Sequence, residues 1–237
     1  MRPLIYSFIV FIRQIRRDNM LLAVCLAPLL TALFFRFGIP VAEDLLTTSF
    51  SQQAIFSPYY LLFDLFTGLM ASFMICFASA MVILTERDEN MAAYLAVTPV
   101  GKRGYILSRL VFPAVLSVPL CVVLLGLFSL TSWSVPMIIV SGVLMAFSSV
   151  TAALLVIAFS GNKVEGLAMG KISGLLFIGL FAPFFVGTNS QYVVLFLPPF
   201  WISRLVITQN GTLFIPALLV VLIWIRVLSV TVERRLY

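Results

Sequence analysis

The sequence predicts an all-α integral membrane protein with six transmembrane helices. Three observations carry this. Of 237 residues, 62% are hydrophobic and only 10% are charged, where soluble domains have about 45–50% apolar and about 25% charged residues. The mean hydropathy is +1.14. The apolar residues also gather into six near-continuous runs, each close to the roughly 20 residues of helix that a hydrocarbon core of about 30 Å requires. The runs do not alternate as barrel strands do. A chain this apolar cannot hide its surface as a soluble enzyme, a disordered regulator or a secreted disulfide scaffold.

The expected spans are about Asn19 to Phe37, Tyr59 to Leu84, Tyr105 to Leu130, Val135 to Phe159, Val164 to Val186 and Thr212 to Val230. Residues 1–18 precede them. Leu4, Phe8, Phe11 and Ile15 recur there at helical spacing, and Arg13, Arg16 and Arg17 cluster at the far end. Arginines stand where a signal-peptide cleavage site needs small residues. The pattern predicts an amphipathic helix lying in the interface, with an early start of the first span as the alternative.

Basic residues set the orientation. All but Arg36 and Arg204 of the 15 Lys and Arg residues fall at the termini or at alternate connections. This predicts six crossings with both termini cytoplasmic. Charges inside the runs lie toward their ends: Arg36, Asp64, Arg109, Lys171 and Arg226. Long basic side chains there are expected to snorkel to the interface. Asp64 either pairs with Arg36 or sits near its helix N-terminus.

The loops differ. Gly38 to Pro58 reads as a polar outer loop, and Thr131 to Ser134 as a bare outer turn. Residues 188–211 hold an apolar stretch broken by Pro198-Pro199, too interrupted for a full crossing. It reads either as short helices dipping into the outer leaflet or as a surface loop with a hydrophobic plug. The cytoplasmic stretch 85–103 is the most informative. Thr85 with Asp88 resembles a helix cap. Met91, Tyr94, Leu95 and Thr98 share one helical face, and Pro99 with Gly101 ends it. A short amphipathic helix is expected, able to lie at the interface or dock into a partner.

The chain has no histidine, which removes His metal sites and His-based catalysis. Its three cysteines, Cys25, Cys76 and Cys121, sit in apolar runs, so no disulfide is expected. Gly170-Lys171 does not complete a phosphate loop: position 165 is Glu and Ile172 follows the lysine. Gly166, Gly170 and Gly174 instead form a smooth face at i, i+4, i+8, suited to packing within the subunit or to a dimer contact. No nucleic-acid site is expected, because the charge of +6 reads as basic membrane-facing loops.

These features together resemble the permease subunit of type-2 ATP-binding-cassette (ABC) exporters. The resemblance is carried by Glu86-Arg87 after the second span, by Leu95-Ala96-Val97-Thr98-Pro99-Val100 and by Lys102-Arg103. Asn162-Lys163-Val164-Glu165 and Leu197-Pro198-Pro199-Phe200-Trp201 also look like family segments. Asn90-Met91 stand where the family usually has Gly-Thr.

The resemblance implies a pathway made by two permease subunits, identical or paralogous, in the cytoplasmic membrane of a prokaryote. It implies two copies of a separate ATPase that bind ATP and Mg, while this chain binds no cofactor and is not itself an enzyme. Glu86, Arg87, Met91, Tyr94, Leu95, Thr98 and Pro99 become candidates for coupling to that ATPase. Pro198, Pro199, Phe200 and Trp201 become candidates for an outer gate. Membrane lipids are the other expected partners. An uncharged interior with 22 Phe suits an amphiphilic or apolar cargo such as a drug, peptide or lipid.

Two other classes compete. A stand-alone channel or secondary transporter would want polar residues at midplane or an inverted repeat, and neither stands out. An intramembrane enzyme would want an acid pair, a His pair or a Ser–base pair.

Overall fold

The computed structural model describes residues 2–50, 54–89, 105 and 107–236. The described residues form helices and no strands. Helix α1 (Arg2–Arg17) leads into α2 (Asn19–Leu33). Asp18 sits between them and caps α2, accepting from the Met20 and Leu21 amides at 2.9 and 3.3 Å. Among the described residues, six helical stretches are long and apolar enough to cross a membrane: Asn19–Ser49, Ser57–Asp88, Ser108–Phe128, Val135–Phe159, Lys163–Phe185 and Gly211–Val232.

The first stretch differs from expectation. Gly38 does not end it. A π-helical turn, Phe34–Gly38, joins α2 to α3 (Ile39–Phe50), so the expected outer loop from Gly38 is largely helix. Proline at position 40 has no N–H for an ordinary helical bond, and the wider turn just before it absorbs the mismatch. Thr48 and Ser49 return their hydroxyls to the carbonyls four residues back. Glu43 accepts from the Ile55 and Phe56 amides and the Ser57 hydroxyl, which fastens the connection to the second span.

The second span is α4 (Tyr60–Asp88) and the third is α5 (Phe112–Phe128), which follows a π turn, Leu107–Val111. The fourth is α6 (Val135–Phe159). The bundle is built around α4 and α6, whose apolar windows are 78% and 72% buried, against 17% for the first and last spans. Side-chain size explains the difference. Ala71, Ser72, Ala78, Ser79 and Ala80 on α4, and Ser141, Ala146, Ser149, Ala152 and Ala153 on α6, let backbones approach closely. The last span, α10 (Phe214–Leu236), turns Ile215, Leu219, Ile223 and Val227 outward toward lipid.

The fifth span is not one α-helix. It comprises α7 (Lys163–Ser173), a 3-10 turn at Gly174–Phe177 and α8 (Ile178–Phe185). A 3-10 segment (Thr188–Val194) and α9 (Pro198–Thr208) follow. Thus 188–211 forms short helices. The buried face of α9 sits against the bundle, with the Ser203 hydroxyl donating to the Leu180 carbonyl at 2.7 Å.

Candidate functional site

The two ends of α4 each carry a buried acid, Asp64 and Glu86, about 33 Å apart at 1.5 Å per residue. Each is satisfied in a way that defines its end of the protein.

At the Glu86 end, α4 runs through Asp88 without a break. Thr85 is therefore not a cap; its hydroxyl bonds back to the Met81 carbonyl at 3.0 Å. Three acids, Glu86, Asp88 and Glu89, then stand near a helix C-terminus, where the dipole disfavours them. Glu86 and Asp88 are compensated by specific partners. The Glu86 carboxylate receives two bonds from the Arg109 guanidinium, at 2.6 Å from Nη2 and 3.1 Å from Nε. Both side chains are 1% exposed. Arg109 does not snorkel. It leaves the π turn that opens the third span and points into the bundle. Its guanidinium carbon lies 5.4 Å from the Phe11 ring of α1 and 5.9 Å from the Tyr105 ring. The Ser79 hydroxyl donates to the Arg109 carbonyl, whose helical donor four residues on would be Pro113, which has no N–H.

The neighbours of Glu86 tie α4 elsewhere. Arg87 donates to the Ser160 carbonyl at 3.0 Å, and Asp88 accepts the Lys163 amide at 2.9 Å. Both hold the turn between the fourth and fifth spans. That turn is also capped by Asn162 and Glu165, each accepting from the other's segment. The Lys163 ammonium reaches Asp18 at 2.6 Å. This bond, chiefly, holds the Asp18 carboxyl below its ordinary value of 3.8. The end of α4 is thereby bonded to the third span, the fourth-to-fifth turn and, through Lys163, the first span's cap.

Of the residues the resemblance marks for coupling, Glu86 is buried and Arg87 half-buried, and both make bonds within the chain. Met91, Tyr94, Leu95, Thr98 and Pro99 lie outside the described residues. Arg109 escaped notice as a functional residue because it reads as one more inner-face charge. The available signal was a lone arginine entering an apolar run on the same side as a lone Glu-Arg pair.

The glycine face divides. A Cβ on Gly166 would come within 2.3 Å of Leu84, and one on Gly170 within 2.4 Å of Phe77. Both glycines therefore pack α7 on α4 inside the chain. Gly174 opens the 3-10 turn and has nothing within 4 Å of its would-be Cβ. Gly179 approaches backbone: a Cβ there would meet Leu197 at 2.9 Å and the Phe200 backbone nitrogen at 3.0 Å.

At the Asp64 end, Arg36 and Asp64 do not pair. Asp64 is buried and accepts from the Leu130 and Thr131 amides at 2.7 and 2.9 Å, the Thr131 hydroxyl at 2.5 Å and the Trp133 indole at 3.0 Å. Arg36 donates to the Ser129 carbonyl at 2.7 Å. Thr131 to Ser134 is thus more than a bare turn: the charge of α4 organises it. The four gate candidates meet here too. Pro198, Pro199 and Phe200 are buried, Phe200 and Trp201 contact edge to face, and the Trp201 indole donates to the Leu195 carbonyl at 2.8 Å.

Comparison with known proteins places this architecture. Two curated proteins of Mycobacterium tuberculosis, from strains CDC 1551 and H37Rv, are named fluoroquinolones export permease protein. Each is 27% identical to this chain over 210 residues, covering 85% of this chain and 81% of the relative. The family described as fluoroquinolones export permease protein Rv2686c-like matches residues 11–232. The resemblance to exporter permeases is borne out at that level: this multi-pass chain is a member of the Rv2686c-like export permease family.

Proposed function

We propose that the chain is the membrane subunit of an ABC-type exporter, moving an amphiphilic or apolar drug-like molecule at the expense of ATP hydrolysed by a separate ATPase. The observation that carries this reading is the buried Glu86–Arg109 bridge. It joins the two roots of residues 90–104, so a push on that stretch passes into the second and third spans together. A buried bridge is a poor source of stability but a good device for fixing register.

The Glu86 end faces the cytoplasm on this reading. By the order of spans along the sequence, thirteen of the basic residues and six of the acids are assigned to that side, a net of +7, against two basic residues and three acids on the other, a net of −1; the two add to the chain's +6. The relatives' names support a drug-like cargo. A second six-span subunit, a copy or a relative of this chain, completes the pathway.

The test is to reconstitute the chain with its ATPase and to compare wild type with Leu95→Asp and Thr98→Asp. Hydrolysis without transport is expected of the variants. Unaltered coupling in both variants, or transport by the chain driven by an ion gradient without ATP, overturns the reading.

A further inference from the structure

The face of α1 that points away from the bundle has no role so far. Phe11 is buried and Phe8 half-buried against the core, while Tyr6, Ile9, Arg13, Arg16 and Arg17 are exposed. At 100° per residue those five share the side opposite Phe11. None of the three arginines makes a salt bridge among the described residues. Of the acids nearby, Asp18 is engaged with Lys163, Glu86 with Arg109, Asp88 with the Lys163 amide and Glu165 in its own cap, while Glu89 lines a second cleft with Asp18 and Arg17 and forms no salt bridge among the described residues. Beside this face lies an open cleft of about 550 Å³, lined among the described residues by Phe8, Ile9, Ile12, Arg13, Arg16 and Arg17. One part of the lining is greasy and the other cationic.

We propose that this cleft binds an anionic phospholipid of the leaflet at the Glu86 end. The arginines take the headgroup phosphate, and Phe8, Ile9 and Ile12 take the start of an acyl chain. Guanidinium forks match phosphate oxygens, and an amphipathic helix with arginines beside apolar side chains seats at the headgroup–acyl boundary. An acidic protein surface would satisfy the arginines but not the exposed Ile9 and Tyr6 beside them, which favours the lipid. The consequence is mechanical. The same helix lays Phe11 over Arg109, so lipid held on its outer face keeps α1 pressed on the Glu86–Arg109 bridge. The inner-leaflet placement rests on the orientation proposed above; the chemistry of the cleft does not.

The test titrates phosphatidylglycerol or phosphatidylcholine into the purified full-length chain in detergent and reads bound lipid by native mass spectrometry. Phosphatidylglycerol is expected to bind the wild type preferentially, with retention falling as salt rises. The triple variant Arg13→Gln/Arg16→Gln/Arg17→Gln is expected to lose about a hundredfold in affinity, and the corresponding triple Lys variant to keep most of it. Equal retention of the two lipids by the wild type, or salt-independent retention, overturns the proposal even should the Gln variant fail to fold. So does a Gln variant that holds phosphatidylglycerol normally, including one that has instead lost its ATPase partner. No ATP or transport enters this assay. Loss of lipid preference with coupling intact therefore sinks only this proposal, and intact preference without coupling sinks only the transport reading.

Discussion

Glu86 and Arg109 lie 23 positions apart in sequence and 2.6 Å apart in space. Between them lie the last residues of the second span, the connection, and the start of the π turn that opens the third. Removing either partner leaves the other charge buried. Glu86→Leu and Arg109→Met should each destabilise the fold by about 3–5 kcal/mol. The double variant Glu86→Leu/Arg109→Met should recover most of that loss. Thermal melting of the four proteins in detergent, analysed as a double-mutant cycle, checks this; additive losses would mean that the bridge is not the coupled unit.

Asp64 anchors the opposite end through four donors. Asp64→Asn replaces acceptor capacity with an amide that must point donors at donors. A loss of about 1.5–3 kcal/mol is expected, as for hydrogen bonds to a charged group. Trp133→Phe removes one donor and should cost less. Melting curves rank the pair, and equal effects would contradict the bonding pattern.

Glycine positions should separate by what their Cβ would meet. Gly179→Ala drives a methyl toward the Phe200 backbone, which cannot swing aside, and should cost about 1–3 kcal/mol. Gly166→Ala and Gly170→Ala meet the ends of Leu84 and Phe77, which can partly rotate, and should cost less. Gly174→Ala should stay within about 0.5 kcal/mol of wild type. The order of melting temperatures decides, and a Gly174 variant at the bottom would refute it.

Acid should loosen the Glu86 end. The Lys163 bond keeps the Asp18 carboxyl below its ordinary value of 3.8 in the folded chain. Unfolding raises that value, so the bond's contribution is full at neutral pH and drains away as pH falls below about 4. Asp18→Asn should lower stability at neutral pH and flatten that part of the profile. Melting temperature against pH for both proteins tests this, and parallel profiles would exclude Asp18 as the source.

Hydropathy alone determined the fold class, the number of spans and the character of α1, because a hydrocarbon solvent admits few ways to satisfy a backbone and the pattern must announce them. Glu86-Arg87 marked the right end of the second span for the same local reason. What the packed bundle decided was pairing. Arg109 looked like a snorkelling charge and proved to be the buried partner of Glu86. Asp64, read as pairing with Arg36 or sitting near its helix N-terminus, instead accepts from the 130–133 turn. The apparent glycine stripe ended at Gly170, while Gly179, off that stripe, took the close contact with backbone. Spacing along a helix reports only which side chains share a face. Which face meets which neighbour depends on helix rotation and crossing, set by the small residues of α4 and α6 acting together, and no single segment contains that information.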